Sequence, residues 1–184
     1  MATLHDIFLW VCGQQHNWVL GGEPLPFCQR CTGLYAGAVL ALLVYLGFRP
    51  KATNGMLWAH GMFLLLMVPF GYHFVPQTGV LRMLTGQIFA IGLVYYLMLL
   101  PGDRWEIWRE PSFAGAAAYF TTGGLLLLLS QAAVRWGGLG MNITLSWLGF
   151  VGLLVYGTLV LRNLAFLSEF VWRSLRDRVK HAEL

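Results

Sequence analysis

Charge is scarce in this sequence. Asp, Glu, Lys and Arg make up 11% of its 184 residues, less than half of the roughly 25% usual in soluble domains. Hydrophobic residues reach 58% and mean hydropathy is +0.64. A soluble monomer with so few charges could not cover its surface. The same numbers exclude a disordered chain, a coiled coil, a collagen and a small disulfide scaffold. Acidic residues number only 8, and none falls inside a long apolar run, which disfavours proton or cation transport through intramembrane carboxylates. Lys and Arg are missing from the first 29 residues, so the charged start of a secretory leader is not visible. A Gly-rich phosphate loop, an H-E-x-x-H helix and a Ser nucleophile elbow are missing too. Cysteine does not occur after residue 31.

What remains is apolar sequence in long runs. Five stretches, Thr32–Phe48, Gly55–Phe74, Val80–Leu100, Phe113–Val134 and Ile143–Leu167, approach the roughly 20 residues a bilayer-crossing helix needs. Lipid offers no partner for backbone polar groups, so these runs must be helical. The breaks between them are turn-like: Arg49-Pro50-Lys51, Pro76-Gln77-Thr78-Gly79, Pro101-Gly102-Asp103-Arg104 and Arg135-Trp136-Gly137-Gly138. Pro69 falls inside the second run and predicts a kink. Trp58, Trp105, Trp108, Trp136, Trp147 and Trp172 sit near run ends, where an amphipathic indole meets the headgroups. The expected fold is therefore all-α, a polytopic transmembrane helical bundle of five spans. Residues 1–31 form a short interfacial segment, residues 32–167 the bundle, and residues 168–184 a basic amphipathic tail.

The cations predict orientation. With five spans, Arg30, Arg82 and Arg135 share one side, and the other nine Lys and Arg share the opposite side. The positive-inside rule then puts the amino terminus outside and the carboxyl terminus in the cytoplasm, in the cell (plasma) membrane. Val171, Leu175 and Val179 recur at helical spacing beside Arg173, Arg176, Arg178 and Lys180, which suits an anionic inner leaflet. The net charge of +4 thus calls for a lipid bilayer as partner and no nucleic acid. Asn142-Ile143-Thr144 matches a glycosylation sequon but stands at a helix start, as a chance match would.

The three cysteines, Cys12, Cys28 and Cys31, cluster with His16 as C-x3-H-x11-C-x2-C. Inert apolar thiols would be scattered through the spans. Three readings stay open. Three thiolates and an imidazole suit tetrahedral zinc, bound or as a structural knot. A C-x-x-C pair at a helix start, with Arg30 between, suits thiol–disulfide exchange, coupled to a quinone in the bundle and with Cys12 as resolving thiol. A simple disulfide or inert thiols is the third. The second span ends, and the third begins, on the side of the cysteines, so His73, Gln77 and Arg82 are expected at the same membrane face. His73 is then an alternative fourth metal ligand, and Arg30, Gln77 and Arg82 are supporting groups. His60 lies about 20 Å from His73 at 1.5 Å per residue, too far to join. Gly33 and Gly37 form a G-x-x-x-G pair that lets helices approach closely, within the chain or toward a membrane-protein partner or second copy.

Cys12, Gln14, Gly22, Pro26, Cys28, Arg30, Cys31, Thr32, Gly33, Tyr35 and Gly37 resemble the signature of the DUF2085 family, small bacterial and archaeal membrane proteins of unknown function. Pro69, Gln77, Arg82, Thr85 and Gly86 fit its second block. The resemblance extends over about residues 10–100 and implies a membrane fold but no activity. There are two departures from the pattern. Gly13 stands where the family has His, with His16 displaced, and His73 stands where the family is acidic.

Overall fold

The computed structural model describes residues 16–72, 74–104, 108 and 112–182, and the side chains of these except 104, 175 and 177–182. Among the described residues two strands, β1 (Asn17–Leu20) and β2 (Glu23–Cys28), precede seven helices. These are α1 (Gln29–Phe48), α2 (Asn54–Leu65), α3 (Met67–Gly71), α4 (Gly79–Leu97), α5 (Leu99–Arg104), α6 (Phe113–Trp136) and α7 (Leu139–Ala182). Five helical stretches are long and apolar enough to cross a membrane: Gln29–Phe48, Asn54–Gly71, Gly79–Leu97, Phe113–Trp136 and Leu139–Ser174. The protein is a helical membrane bundle, as the composition requires.

Three of the helix starts carry a hydroxyl cap. Thr53, Thr78 and Ser112 accept hydrogen bonds from the backbone N–H of Met56, Leu81 and Gly115, satisfying donors that a helix cannot pair by itself. The second span is interrupted at Leu66, between α2 and α3. Pro69 has no N–H to return to Leu65, so the ladder loosens one turn before it. The last span and the basic tail form one continuous helix, 44 residues in α7, about 66 Å at 1.5 Å per residue. On its tail Arg173 pairs with Glu169 and Arg176 lies over the ring of Trp172.

Helix α1 is the axis of the bundle and packs most extensively on α4, then on α7. Small residues set that closeness. A Cβ on Gly33 would collide with the carbonyl of Met83, and one on Gly86 with that of Arg30. Likewise a Cβ on Gly152 would collide with Tyr35. The G-x-x-x-G pair therefore serves packing within the chain. Polar side chains stitch the helices as expected for lipid: Gln87 donates to Ser130 and accepts from Gln131, Tyr96 donates to Leu57 O, and Asn163 donates to Leu97 O. Outward faces carry large apolar residues, and Trp136 is 80% exposed near its helix end.

One element departs from the all-α expectation. The described part of the amino-terminal segment is an antiparallel hairpin, with Leu20 paired to Glu23 and Val19 to Pro24. Gly21 and Gly22 both have positive φ, 63° and 85°, which a two-residue hairpin turn of the favoured twist demands. The strands are only 4 and 6 residues long, too short for their alternation to show against an apolar background. The segment 1–15 lies outside the described residues.

Candidate functional site

The hairpin and α1 meet at the cysteines. Cys28 ends β2 and caps α1. Its Sγ accepts from the backbone N–H of Cys31 at 3.4 Å, and Thr32 Oγ1 donates to Cys28 O at 3.0 Å. Cys28 is buried and Cys31 half-buried, with no disulfide between the two. The unpaired N–H groups and dipole of a 20-residue helix favour negative charge on that sulfur.

The hairpin is also what returns His16 to this corner. Asn17 pairs with Cys28 across the strands, and Gln29 N–H donates to His16 O at 2.7 Å. An irregularity between Asn17 and Val19 leaves extra residues on β2, and Asn17 Nδ2 spans it to Leu25 O at 2.9 Å. The imidazole of His16 is exposed. Among the described residues, three or more metal-ligating side chains do not come together. Cys12 and His73 lie outside the described residues.

Beside the cysteines stands a buried cation. Arg30 is only 8% exposed. Its Nη2 donates to Phe70 O at 2.8 Å and to Gln77 Oε1 at 2.6 Å, and Gln77 Nε2 donates to the same carbonyl. The two flanks of the loop after the second span thus close on Arg30. Arg30 and Gln77, expected at one face from topology, are in direct contact. Arg82, in the first turn of α4, is half-buried, and among the described residues neither its Nε nor that of Arg30 has a hydrogen-bond partner. Neutral acceptors hold a charge that ordinarily takes a carboxylate when buried.

The hairpin is clamped onto α7. Asn142 Nδ2 donates to Glu23 O at 2.7 Å and to Leu20 O at 3.4 Å, and Phe27 packs over Gly149. The sequence shows Asn142 only as a sequon. Its side-chain nitrogen is buried on carbonyls instead, with no room for a glycan.

A second polar cluster went unrecognised in the sequence. His60 on α2 is fully buried. Its Nδ1 bonds Met56 O at 2.7 Å and its Nε2 bonds the hydroxyl of Tyr119 at 2.9 Å. The ring of Tyr95 stacks on it, centroids 3.8 Å apart at 13°, and Phe63 and Phe120 close the sides. The hydroxyls of Tyr45 and Tyr95 are buried here without a hydrogen-bond partner among the described residues. A lone intramembrane His was the available signal; its partner lies 59 residues away, beyond any local pattern.

No curated protein and no solved structure matches the chain. The family model described as predicted membrane protein (DUF2085) matches residues 12–96, the stretch that holds all three cysteines, Arg30, Gln77 and Arg82. Over residues 12–96 this chain carries the DUF2085 predicted-membrane-protein pattern, borne by the hairpin, α1, the kinked second span and α4.

Proposed function

We propose that this membrane protein carries a Cys/His centre where the hairpin meets α1, and that the centre binds a metal ion such as zinc or ties the amino-terminal segment structurally. Cys28 and Cys31 supply two thiolates, Cys12 a third, and His16 or His73 the imidazole; Arg30, Gln77 and Arg82 are the supporting groups. The protein then serves as a binding or accessory component of a larger membrane system, with a membrane-protein partner or a second copy. The carrying observation is the hairpin register, which brings residue 16 back to residues 28 and 29. It turns the eleven-residue spacer of the motif into a structural device. The donor set fits zinc in kind, two thiolates one helical turn apart, and the remaining ligands must come from Cys12 and an imidazole. The test is elemental analysis of purified protein. Wild type is expected to hold one zinc per chain and Cys28→Ser none; wild type without stoichiometric metal sinks the metal version.

A second reading rests on Cys28 as the cap of α1. A thiolate at a helix start, two residues from Arg30, suits exchange chemistry. Cys28 and Cys31 would lose two electrons and two protons to become a disulfide, and a quinone would gain both to become a quinol. Mass-tag alkylation after quinone or reductant treatment decides: an unchanging thiol count removes this reading and favours metal or inert thiols. In either case we place the cysteines at the outer face of the plasma membrane and the carboxyl terminus in the cytoplasm, supported by the three-against-nine division of Lys and Arg. Labelling of Cys31 by a membrane-impermeant maleimide in intact cells, against inverted vesicles, tests that placement.

A further inference from the structure

Helices α1 and α4 run in parallel. Gly33 faces Met83 and Gly37 faces Gln87, so both amino termini sit at the same end of the bundle. Each brings the positive end of a dipole, from helices of 20 and 19 residues. Arg30 and Arg82 stand in the first turns of these two helices. Among the described residues no carboxylate pairs with either guanidinium; the ion pair there, Arg173 with Glu169, belongs to the tail of α7.

Both cations belong to one groove. Helix α4 packs on α1 through Gly79, Met83 and Gly86, and on α2 through Gly92 and Tyr96, which meet His60 O and Leu57 O. At about 100° per residue, Arg82 falls between these two faces. A helical side chain leans toward the amino terminus of its helix. That directs Arg82 to the corner where Arg30 reaches Phe70 O and Gln77, and the burial of its Nε agrees. Arg30 itself is 8% exposed, and its Nε is buried there without a partner among the described residues. A charge taken out of water needs a partner, yet here two cations and two helix dipoles add with the same sign. What the groove lacks is a negative group that only accepts.

The loop beside Arg30 sets the depth of the groove. Tyr72 and Phe74 are 72% and 75% exposed, with their rings stacked 5.9 Å apart, as amphipathic aromatics stand at the headgroup level. The abundant anion at that level is phosphate. Its tetrahedral oxygens can accept from two guanidiniums that approach from different helices, and the Arg fork matches them. We infer that Arg30 and Arg82 form a phosphate-binding site in the groove between α1, α3 and α4, with Gln77 holding Arg30 in position. A lipid headgroup and free inorganic phosphate present the same oxygens to it. The site needs neither a metal nor a thiol, so it stands apart from both readings of the cysteines.

The test follows thermal unfolding of full-length protein in dodecyl maltoside, read by tryptophan fluorescence. Inorganic phosphate, dihexanoyl phosphatidylglycerol and sodium chloride of matched ionic strength are titrated into phosphate-free buffer. A phosphate compound is expected to raise the unfolding midpoint saturably, as a ligand of the folded state does, and chloride is not. Saturation by inorganic phosphate assigns a free anion, and saturation by the phospholipid alone a headgroup; either supports the site. Arg82→Gln should weaken that binding by at least about tenfold. The buried Nε of Arg82 has no partner to lose among the described residues. Without phosphate the variant should therefore unfold at or above the wild-type midpoint, and with phosphate below it. That reversal serves even if Arg30→Gln, which gives up Phe70 O, fails to fold. Where phospholipid stays bound through purification, phosphorus analysis should find one phosphorus per chain in wild type and none in Arg82→Gln. Chelator-treated protein should respond like untreated protein. The inference is overturned if phosphorus-free wild type shifts no more with phosphate than with chloride, or if wild type and Arg82→Gln respond alike. A response that the chelator abolishes also overturns it, since the phosphate would then sit on a metal ion of the cysteine centre.

Discussion

The two polar clusters of this bundle are built in opposite ways. At one end, Arg30 is a full charge held by a backbone carbonyl and the side chain of Gln77, next to two cysteines in a short motif. At the other, His60 and three tyrosines form an aromatic cage in which one hydrogen-bond chain is complete and two hydroxyls, of Tyr45 and Tyr95, are left over. The first cluster locks a loop onto the central helix. The second fixes one imidazole between α2 and α6. Both clusters hold buried polar atoms for which the described residues supply no partner, the Nε of Arg30 in the first and the two hydroxyls in the second, but only the first ties a loop to a helix.

The seam between α1 and α4 is common to both ends, and breaking it should have the largest effect. Gly33→Leu drives a side chain into the Met83 carbonyl. Overpacking against backbone costs about 1–3 kcal/mol or more, and here no flexible side chain can yield. We expect loss of the monodisperse folded species on size-exclusion chromatography, whereas Gly123→Leu on the open face of α6 elutes like wild type. Equal behaviour of the two would mean that α1 and α4 do not approach this closely.

Gln77→Leu comes next. It leaves the Arg30 guanidinium with one acceptor fewer, and hydrogen bonds to charged groups contribute about 1.5–3 kcal/mol. SDS-titration unfolding should report a loss in that range. Gln77→Glu would give the charge a carboxylate but lose the Nε2 donor to Phe70 O, so it should recover only part of that loss. If Gln77→Glu proves as damaging as Gln77→Leu, the positive charge already has a partner beyond the described residues.

Tyr119→Phe should cost less, about 1–3 kcal/mol, since it strands Nε2 of a neutral His60 and no ion. Repeating it on a His60→Phe background should cost almost nothing, because both partners of the bond are then gone. A double-mutant cycle measures the coupling, and full additivity would show that His60 and Tyr119 do not interact.

These differences follow how far each feature was legible in the sequence. The five spans were, because a bilayer leaves a chain few ways to cross it and Thr53, Thr78 and Ser112 mark three of the starts. The meeting of Arg30 with Gln77 was foreseeable as a consequence of topology, although neither residue alone announced it. The hairpin was not, since strands of 4 and 6 residues leave only Gly21-Gly22 as a sign. Asn142 was disguised by the sequon. His60 was set apart from the cysteine end by helical rise alone, and its role depends on α6 arriving against α2, a tertiary event that no spacing within one helix encodes.

Tyr95→Phe should have the smallest effect and sharpens the contrast most. The ring remains stacked on His60, so packing is retained, and the hydroxyl removed has no partner among the described residues. Deleting an unpaired buried hydroxyl relieves its desolvation, so in SDS titration the variant should match wild type or gain stability by up to about 1 kcal/mol. A destabilised variant would instead mean that a bound water already satisfies Tyr95.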